Sequence, residues 1–345
     1  MIHRLTGGET VSIDMRFDDA LEQAKDEERK PNLLLGNGFS IAWSSNFGYS
    51  SLYDKADLDL HTDKDELFGV FGSWDFEYAI EHLERAAEIE ELYTAAPQLA
   101  ATYRSDADEI RKGLATTIAA VHDPHNASEI DPESTKSAQD FLANFGQVFT
   151  LNYDLLLYWV VNKDEGGGAP RSDGFMWAKA NGKGPLIWKP TAPAKVHYLH
   201  GALHLYENED FSTEKLKYQG RGSMIEDVKV RIRARSYPLI VTEGSSQKKR
   251  TRINRSPYLR QQLLDFQSLK GSLFIHGFSF SKGDDHILDA LASADCAVDT
   301  LYVSTFGAAA KERARAGSVA DRRKENGGRQ LNVVFYDAKS AYIWR

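Results

Sequence analysis

The sequence predicts an α/β protein built on a parallel sheet, with helices on both faces and a helical insertion after the first strand. Two observations carry that prediction. Short apolar runs end abruptly in Gly or small polar residues, with helix-compatible sequence after most of them, and strands buried on both faces read as such unbroken runs. Between the first two runs lies a long stretch rich in Ala, Glu and Leu at helical spacing, which a strand cannot use.

Taken in order, the first strand is Leu33–Leu35, running into Gly36-Asn37-Gly38. Residues 49–146 read as the helical insertion, with the clearest 3.6-residue spacing in Phe76–Glu91 and Ile110–Val121. The second strand, Val148–Leu151, ends in Asn152-Tyr153-Asp154. Residues 161–195 form a Gly-rich excursion around Asp173-Gly174-Phe175, bracketed by Gly166-Gly167-Gly168-Ala169-Pro170 and Asn181-Gly182-Lys183-Gly184-Pro185. Breakers this dense exclude a helix and leave a loop or short hairpin. Val196–Leu199 then runs into His200-Gly201, Leu239–Val241 into Thr242-Glu243-Gly244, and Leu273–Ile275 into His276-Gly277. Leu301–Val303 into Ser304-Thr305 and Val333–Phe335 before Asp337 complete the set, a Rossmann-like arrangement. Ser256-Pro257 starts a helix expected to reach about Leu269, since Ser caps and Pro suits the first turn. Polar residues at the carboxyl ends of parallel strands line the crevice where open α/β sheets bind ligands, so the chemistry is expected there.

A chain of 345 residues with 42% hydrophobic content and no obvious linker reads as one elaborated domain, residues 1–345. Cys296 is the only cysteine, which excludes a disulfide framework and a Cys-x-x-Cys metal knuckle and suits a reducing, cytoplasmic setting. Met1 to Asp19 holds no apolar stretch of signal-peptide length, and no later run approaches the roughly 20 residues that span a bilayer. A net charge of -8 argues against a general nucleic-acid coat, while leaving local basic patches open.

Four segments carry candidate chemistry. Leu33-Leu34-Leu35-Gly36-Asn37-Gly38-Phe39-Ser40 is a strand, a tight turn and a helix start, where bare backbone N–H groups and the helix dipole favour a phosphate. Ile41 occupies the third glycine position of the dinucleotide fingerprint, so a turn that merely needs Gly is the competing reading. No Gly-Lys-Ser/Thr follows, which excludes a Walker loop. Asn152 and Asp154 set an amide and a carboxylate two residues apart beyond a strand, either to orient a ribose, a water or an amide group, or to satisfy the turn's own backbone. His197, His200 and His204 are three of the ten histidines. Gly201 and the alternation suggest strand, turn and strand rather than a helical metal face. His200 at the turn suits proton transfer near neutral pH, and His197 and His204 read as structural. The run Lys248–Arg255 is the densest basic segment and reads chiefly as a solvated loop before the Ser256 cap. Asp75 and Glu77 match the acidic preference of a helix start and receive no catalytic role. Asp284 and Asp285 read as caps for the following helix, with His286 able to face the crevice.

The order Gly36-Asn37-Gly38-Phe39-Ser40, Leu151-Asn152-Tyr153-Asp154, Leu199-His200-Gly201 and Gly277-Phe278-Ser279 resembles the sirtuin series Gly-Ala-Gly-x-Ser, Gln-Asn-x-Asp, His-Gly and Gly-Thr-Ser. Thr242–Ser246, Lys249, Tyr258-Leu259 and Asp285–Leu288 also resemble a bacterial branch of sirtuin-like proteins, whose neighbouring branches consume NAD in defence against phage. The resemblance implies that Gly36, Asn37, Gly38 and Ser40 cradle the NAD diphosphate and that Gly277 and Ser279 act on the adenosine side. It implies that Asn152 fixes the nicotinamide ribose or attacking water, that Asp154 contacts the nicotinamide amide, and that His200 engages the ribose hydroxyls. Deacylating sirtuins carry a four-cysteine zinc module, and one cysteine cannot build it, so no zinc is expected and deacylation is disfavoured. The implied activity is an NAD glycohydrolase yielding nicotinamide and ADP-ribose, an anti-phage effector with NAD as its substrate. A homo-oligomer and a separately encoded ATPase or nuclease partner belong to the same expectation. The alternatives are a non-catalytic NAD or ADP-ribose sensor, and a nucleic-acid-recognition subunit using Lys248–Arg255.

Overall fold

Six of the apolar runs pair side by side, and their order decides where a ligand can sit. In the computed structural model the strands, in chain order, are β1 (Asn32–Leu35), β2 (Val148–Thr150), β3 (Phe175–Trp177), β4 (Leu186–Trp188), β5 (Val196–Tyr198), β6 (Leu205–Glu207), β7 (Thr213–Lys215), β8 (Lys270–His276), β9 (Ala297–Thr305) and β10 (Asn332–Asp337). The described residues are 14–93, 98–122, 126–163, 167–169, 171–179, 181–217, 223–242 and 244–345; Gly166, Pro170 and Glu243, read above as turn residues, lie outside them, as do residues 1–13. The main sheet is parallel throughout, in the order β10-β9-β8-β1-β2-β5. This is the doubly wound order, and its direction reverses between β1 and β8. All of β1 is buried, because it pairs on both sides, Leu33 with Val148 and with Phe274.

The helices, in chain order, are α1 (Phe17–Gln23), α2 (Gly38–Trp43), α3 (Tyr49–Lys55), α4 (Lys64–Phe71), α5 (Phe76–Tyr93), α6 (Gln98–Val121), α7 (Pro132–Ala143), α8 (Leu156–Asn162), α9 (Met224–Arg233), α10 (Ser246–Arg255), α11 (Pro257–Gln267), α12 (Asp285–Leu291) and α13 (Ala310–Glu325). They flank the sheet, and α2 to α7 occupy the chain between β1 and β2, with α3 to α7 in the expected insertion. Asp75 Oδ1 accepts from the N–H groups of Glu77 and Tyr78 and so starts α5. Phe76, Ile80, Leu83 and Ala87 form its buried stripe, while Glu77, Glu81, Glu84 and Glu88 recur at the same spacing one position on. No described helix is long and apolar enough to cross a membrane.

Three local expectations are corrected. Leu239–Val241 is not a seventh strand of the parallel sheet. Its backbone bonds to Leu205, Ala202 and His200, and Ile240 makes only an isolated antiparallel bridge with Gly201. It therefore folds over the end of β5. A Cβ on Gly201, whose φ is +74°, would collide with the Leu239 carbonyl, so the residue after His200 must be glycine. Lys248–Arg255 is not a loop but most of α10, with Lys249 and Ile253 buried one turn apart. The α11 helix does start at Pro257, yet the Ser256 hydroxyl makes no capping bond. Residues 175–215 supply a second, antiparallel sheet of order β3-β4-β7-β6.

Candidate functional site

At the reversal point the loops after β1 and β8 touch backbone to backbone. Gly36 N–H donates to the His276 carbonyl at 2.9 Å, and Gly38 N–H to the Gly277 carbonyl at 2.8 Å. A Cβ on Gly36 would lie 2.6 Å from Gly277 O, and one on Gly38 2.5 Å from Gly277 Cα. Gly277 adopts φ +68°. These glycines thus permit the seam between the two halves of the sheet. The N–H groups of Gly38, Phe39 and Ser40 are all bonded within the chain, so the bare anion cradle expected at this turn is not what the backbone offers. Asn37 ties its side-chain amide to the Phe47 carbonyl at 2.9 Å.

Beyond β2 the polar residues form a short chain. Asn152 Nδ2 donates to Ser40 Oγ at 2.9 Å, and Ser40 Oγ donates to Asp154 Oδ2 at 2.5 Å. Asp154 Oδ1 accepts from Leu156 N–H. Burial raises the Asp154 pKa, opposed by the Ser40 bond. Ser40 is fully buried, so the diphosphate contact expected of it is replaced by orientation of Asn152. Nδ2 is committed to Ser40, no bond to Asn152 Oδ1 is made among the described residues, and Asn152 lines the smaller of the site's two cavities. Asp154 lies at the same place, but both its oxygens are already engaged.

Above this floor sits a charged cluster that joins three parts of the chain. Lys249 Nζ of α10 lies 2.5 Å from Glu77 Oε2 of α5 and 2.8 Å from Asp284 Oδ1, just before α12. The α5 backbone at Glu77 and Glu81 runs against Gly244, where a Cβ would collide; that close approach brings Glu77 over the crevice. Burial pushes the Glu77 pKa up to about 7, with Asp284 and Asp75 adding and Lys249 opposing. Burial alone would raise Asp284, but Lys249, helped by His200 and His286, brings it below the ordinary carboxylate range. His200 Nε2 meets His286 Nε2 at 2.9 Å, and Ser246 Oγ lies 3.3 Å from His286 Nδ1. Burial, then Lys249, keeps His200 well below its usual pKa, and burial brings His286 down to about 4. Both imidazoles are therefore neutral near pH 7.

Two cavities open on this frame. An enclosed one of about 90 Å³ is lined by Asn152, His200, Glu77, Lys249 and Asp284 among others. A wider one of about 670 Å³ lies over β8, β9 and β10, with Gly277, Ile41, Phe306 and Tyr342 on its walls. Asn37, Tyr49, Phe278 and Ser279 line both. The wider cavity alone falls in the range of about 300–1,000 Å³ typical of small-molecule sites.

The structure thus gathers Gly36, Asn37, Asn152, Asp154, His200 and Ser279 on the enclosed cavity, and Asn37, Gly38, Gly277 and Ser279 on the wider one. His197 bonds Gln262 and Gln147 within the core. His204 stacks on Tyr158 with neither ring nitrogen bonded among the described residues. His286 meets the crevice at His200, as the sequence allowed, whereas Glu77, Lys249 and Asp284 carry no site role in the sequence reading. Asp284 caps nothing with its side chain, and Asp285 pairs with Arg315 instead. His200, Asp284 and His286 bring donor atoms within 4.8 Å of one another, close enough for a cation, but the Lys249 ammonium already supplies positive charge to Asp284. A signal for Lys249 was present: it stands one helical turn before Ile253, the only apolar residue of the basic run.

Residues 33–344 match a family described as a domain of unknown function (DUF4917), and the chain belongs to that family. No curated protein matches it.

Proposed function

We propose that this family member is an NAD glycohydrolase, cleaving NAD to nicotinamide and ADP-ribose in the double crevice. The observation that carries the reading is the meeting of the enclosed cavity, whose largely apolar walls include Asn152, His200 and Glu77, with the wider aromatic one at the reversal of strand order, the place where doubly wound sheets take dinucleotides. The adenosine half belongs in the wider cavity, and the nicotinamide end points into the enclosed one, whose about 90 Å³ must widen to admit it. The diphosphate then crosses at Asn37, Phe278 and Ser279. Asn152 Oδ1 accepts a hydrogen bond from a ribose hydroxyl or from water, and Ser40 fixes its direction. Departure of neutral nicotinamide from a cationic substrate passes through an oxocarbenium-like species, so the carboxylates of the cluster stabilise charge as it develops on the sugar. An anti-phage role, a cytoplasmic homo-oligomer and an ATPase or nuclease partner extend this proposal on the sirtuin resemblance alone.

A non-catalytic sensor of NAD or ADP-ribose is the second reading, favoured by a floor whose polar groups bond largely to one another, Ser40 with Asp154 and His200 with His286. A nucleic-acid role for Lys248–Arg255 loses ground, because Lys248 pairs with Glu84 and Glu88, Lys249 with Glu77 and Arg252 with Glu207. The test is nicotinamide release from NAD by wild type, Asn152→Ala and His200→Ala, with NAD binding recorded on the same samples. The hydrolase predicts release by wild type and losses on the order of 100-fold or more in both variants. Binding without release selects the sensor, and neither binding nor release overturns the NAD assignment.

A further inference from the structure

The Tyr153 hydroxyl touches two acceptors with a single proton. It lies 2.6 Å from the Val241 carbonyl oxygen and 2.6 Å from Glu77 Oε1. A carbonyl never donates, and an ionised carboxylate only accepts. Both short contacts are satisfied only when Tyr153 donates to Val241 and Glu77 Oε1 carries a proton that it donates to Tyr153. Glu77 Oε2 remains free to accept from Lys249 at 2.5 Å. Glu77 also borders two spaces: the enclosed cavity and a separate cavity of about 510 Å³, with Ser246, Glu81 and His82 on the latter's walls.

Resting on the hydrolase reading, we infer that Glu77 is the proton acceptor of the reaction, a carboxylate whose protonated form, once made, is stabilised by the Tyr153–Val241 chain and whose proton leaves through the outer cavity. As the sugar C1′–N bond breaks, its electron pair goes to the nicotinamide ring nitrogen, which leaves neutral. Water oxygen bonds to C1′, and the proton it sheds passes to the ionised Glu77. The carboxylic acid so formed is the state that the Tyr153 contact stabilises. His200 is less suited to this step, since a second neutral imidazole already meets its Nε2 and a nearby ammonium disfavours its protonation. The groups facing Glu77 are Asp75 on its own helix, Lys249 of α10, Asp284 before α12, Tyr153 after β2 and Tyr49 of α3. Burial with Asp75 and Asp284 outweighs Lys249, which sets the titration near neutrality, where a general base works best.

The test pairs infrared difference spectra, which report the carbonyl stretch of a protonated carboxyl, with nicotinamide release from NAD, both from about pH 5 to about pH 9. Wild type is expected to show a carboxyl band that titrates at about 7 and is missing from Glu77→Gln. Release should rise with pH through the same midpoint, and fall on the order of 100-fold in Glu77→Gln. Tyr153→Phe keeps the ring and should move the midpoint down, because it removes the acceptor of the Glu77 proton. An upward shift there, or a carboxyl ionised throughout the range, overturns the proton assignment. A Glu77→Gln pH profile superimposable on wild type overturns the acceptor role. If the band titrates as described but wild type releases no nicotinamide at any pH, the hydrolase reading fails and takes the acceptor role with it, while the protonation of Glu77 stands.

Discussion

The two halves of the crevice solve the problem of polar lining in opposite ways. On the β2 and β5 side, buried groups are paired in chains: Asn152 with Ser40 and Asp154, His200 with His286, Lys249 with Glu77 and Asp284. On the β8 to β10 side the walls are exposed side chains, Phe306, Tyr342 and Ile41, with Lys339 over the Phe306 ring. Burial makes an unpaired polar group costly, so the enclosed half holds its residues in fixed orientations, as chemistry requires. The open half leaves its aromatics to water, which suits adjustable stacking. The contrast teaches that fixed side chains and exposed, adjustable ones occupy different parts of one crevice, which meet at the glycine seam and at Asn37, Tyr49, Phe278 and Ser279.

The largest expected effect comes through pH and strikes both halves, through His200 and His286 on one side and His276 of β8 on the other. His276 beneath the seam and His286 in the cluster have pKa values brought down to about 4 by burial, and His200 lies well below its usual value. An unfolded chain takes up these protons near pH 6.5, which the folded chain refuses until about 4. Their contribution is therefore complete above about pH 6.5 and is lost as pH falls toward 4, by about 3 kcal/mol for each of His276 and His286. Glu77 acts with the opposite sign, its raised pKa contributing below its unfolded value and losing that contribution as pH rises through about 7. Denaturant unfolding at a series of pH values should show the histidine loss dominating below pH 6. A stability unchanged down to pH 4 would mean that the imidazoles are not held neutral.

Next in size is the seam. Gly277→Ala forces a left-handed φ on a residue with a Cβ and sets that atom 2.7 Å from Gly38 Cα, costing about 3 kcal/mol or more in unfolding free energy. Wild-type stability in this variant would show that the halves are not joined by that contact. Ser40→Ala is milder. It strips Asp154 Oδ2 and Asn152 Nδ2 of their shared partner, with about 1–3 kcal/mol lost in denaturant unfolding. Nicotinamide release should fall roughly tenfold in kcat with KM little changed, since Asn152 loses its direction and not its presence. The smallest effect belongs to the open half: Phe306→Ala should weaken NAD binding by about 1–2 kcal/mol in calorimetry, a stacking loss, with stability within about 0.5 kcal/mol of wild type. Loss of stability in place of affinity would reverse the assignment of roles to the two halves.

Much of the fold was legible because buried parallel strands carry their signature in composition: Leu33-Leu34-Leu35 and Leu273-Phe274-Ile275 have no other plausible use in a chain of this kind. Leu239-Ile240-Val241 has the same composition and a different fate, since its hydrogen-bonding partners lie at the turn after β5, nearly forty positions earlier by residue number. Of the small antiparallel sheet, the β3–β4 pair falls within the loop or short hairpin expected of residues 161–195, while β6 and β7 are three-residue strands too short for an alternation to register. At the site, Asn152, His200 and the glycine turns were legible from their places at strand ends. Glu77 and Lys249 were passed over as ordinary helix-start and loop charges.

The sequence by itself determined the parallel sheet, the helical character of the segment between its first two strands, and the strand ends where the polar residues of the candidate site gather, because each depends on local periodicity and turn chemistry. It also contained both charged stripes, Glu77, Glu81, Glu84 and Glu88 on one helix and Lys248, Lys249 and Arg252 on another. Only the tertiary structure decided that Lys249 would be buried between Glu77 and Asp284 while Lys248 stays near the surface with Glu84 and Glu88. The reason is physical: a charge pattern specifies its complement but not its distance or dielectric, and those are set by the close packing of α5 against Gly244, which no local pattern encodes.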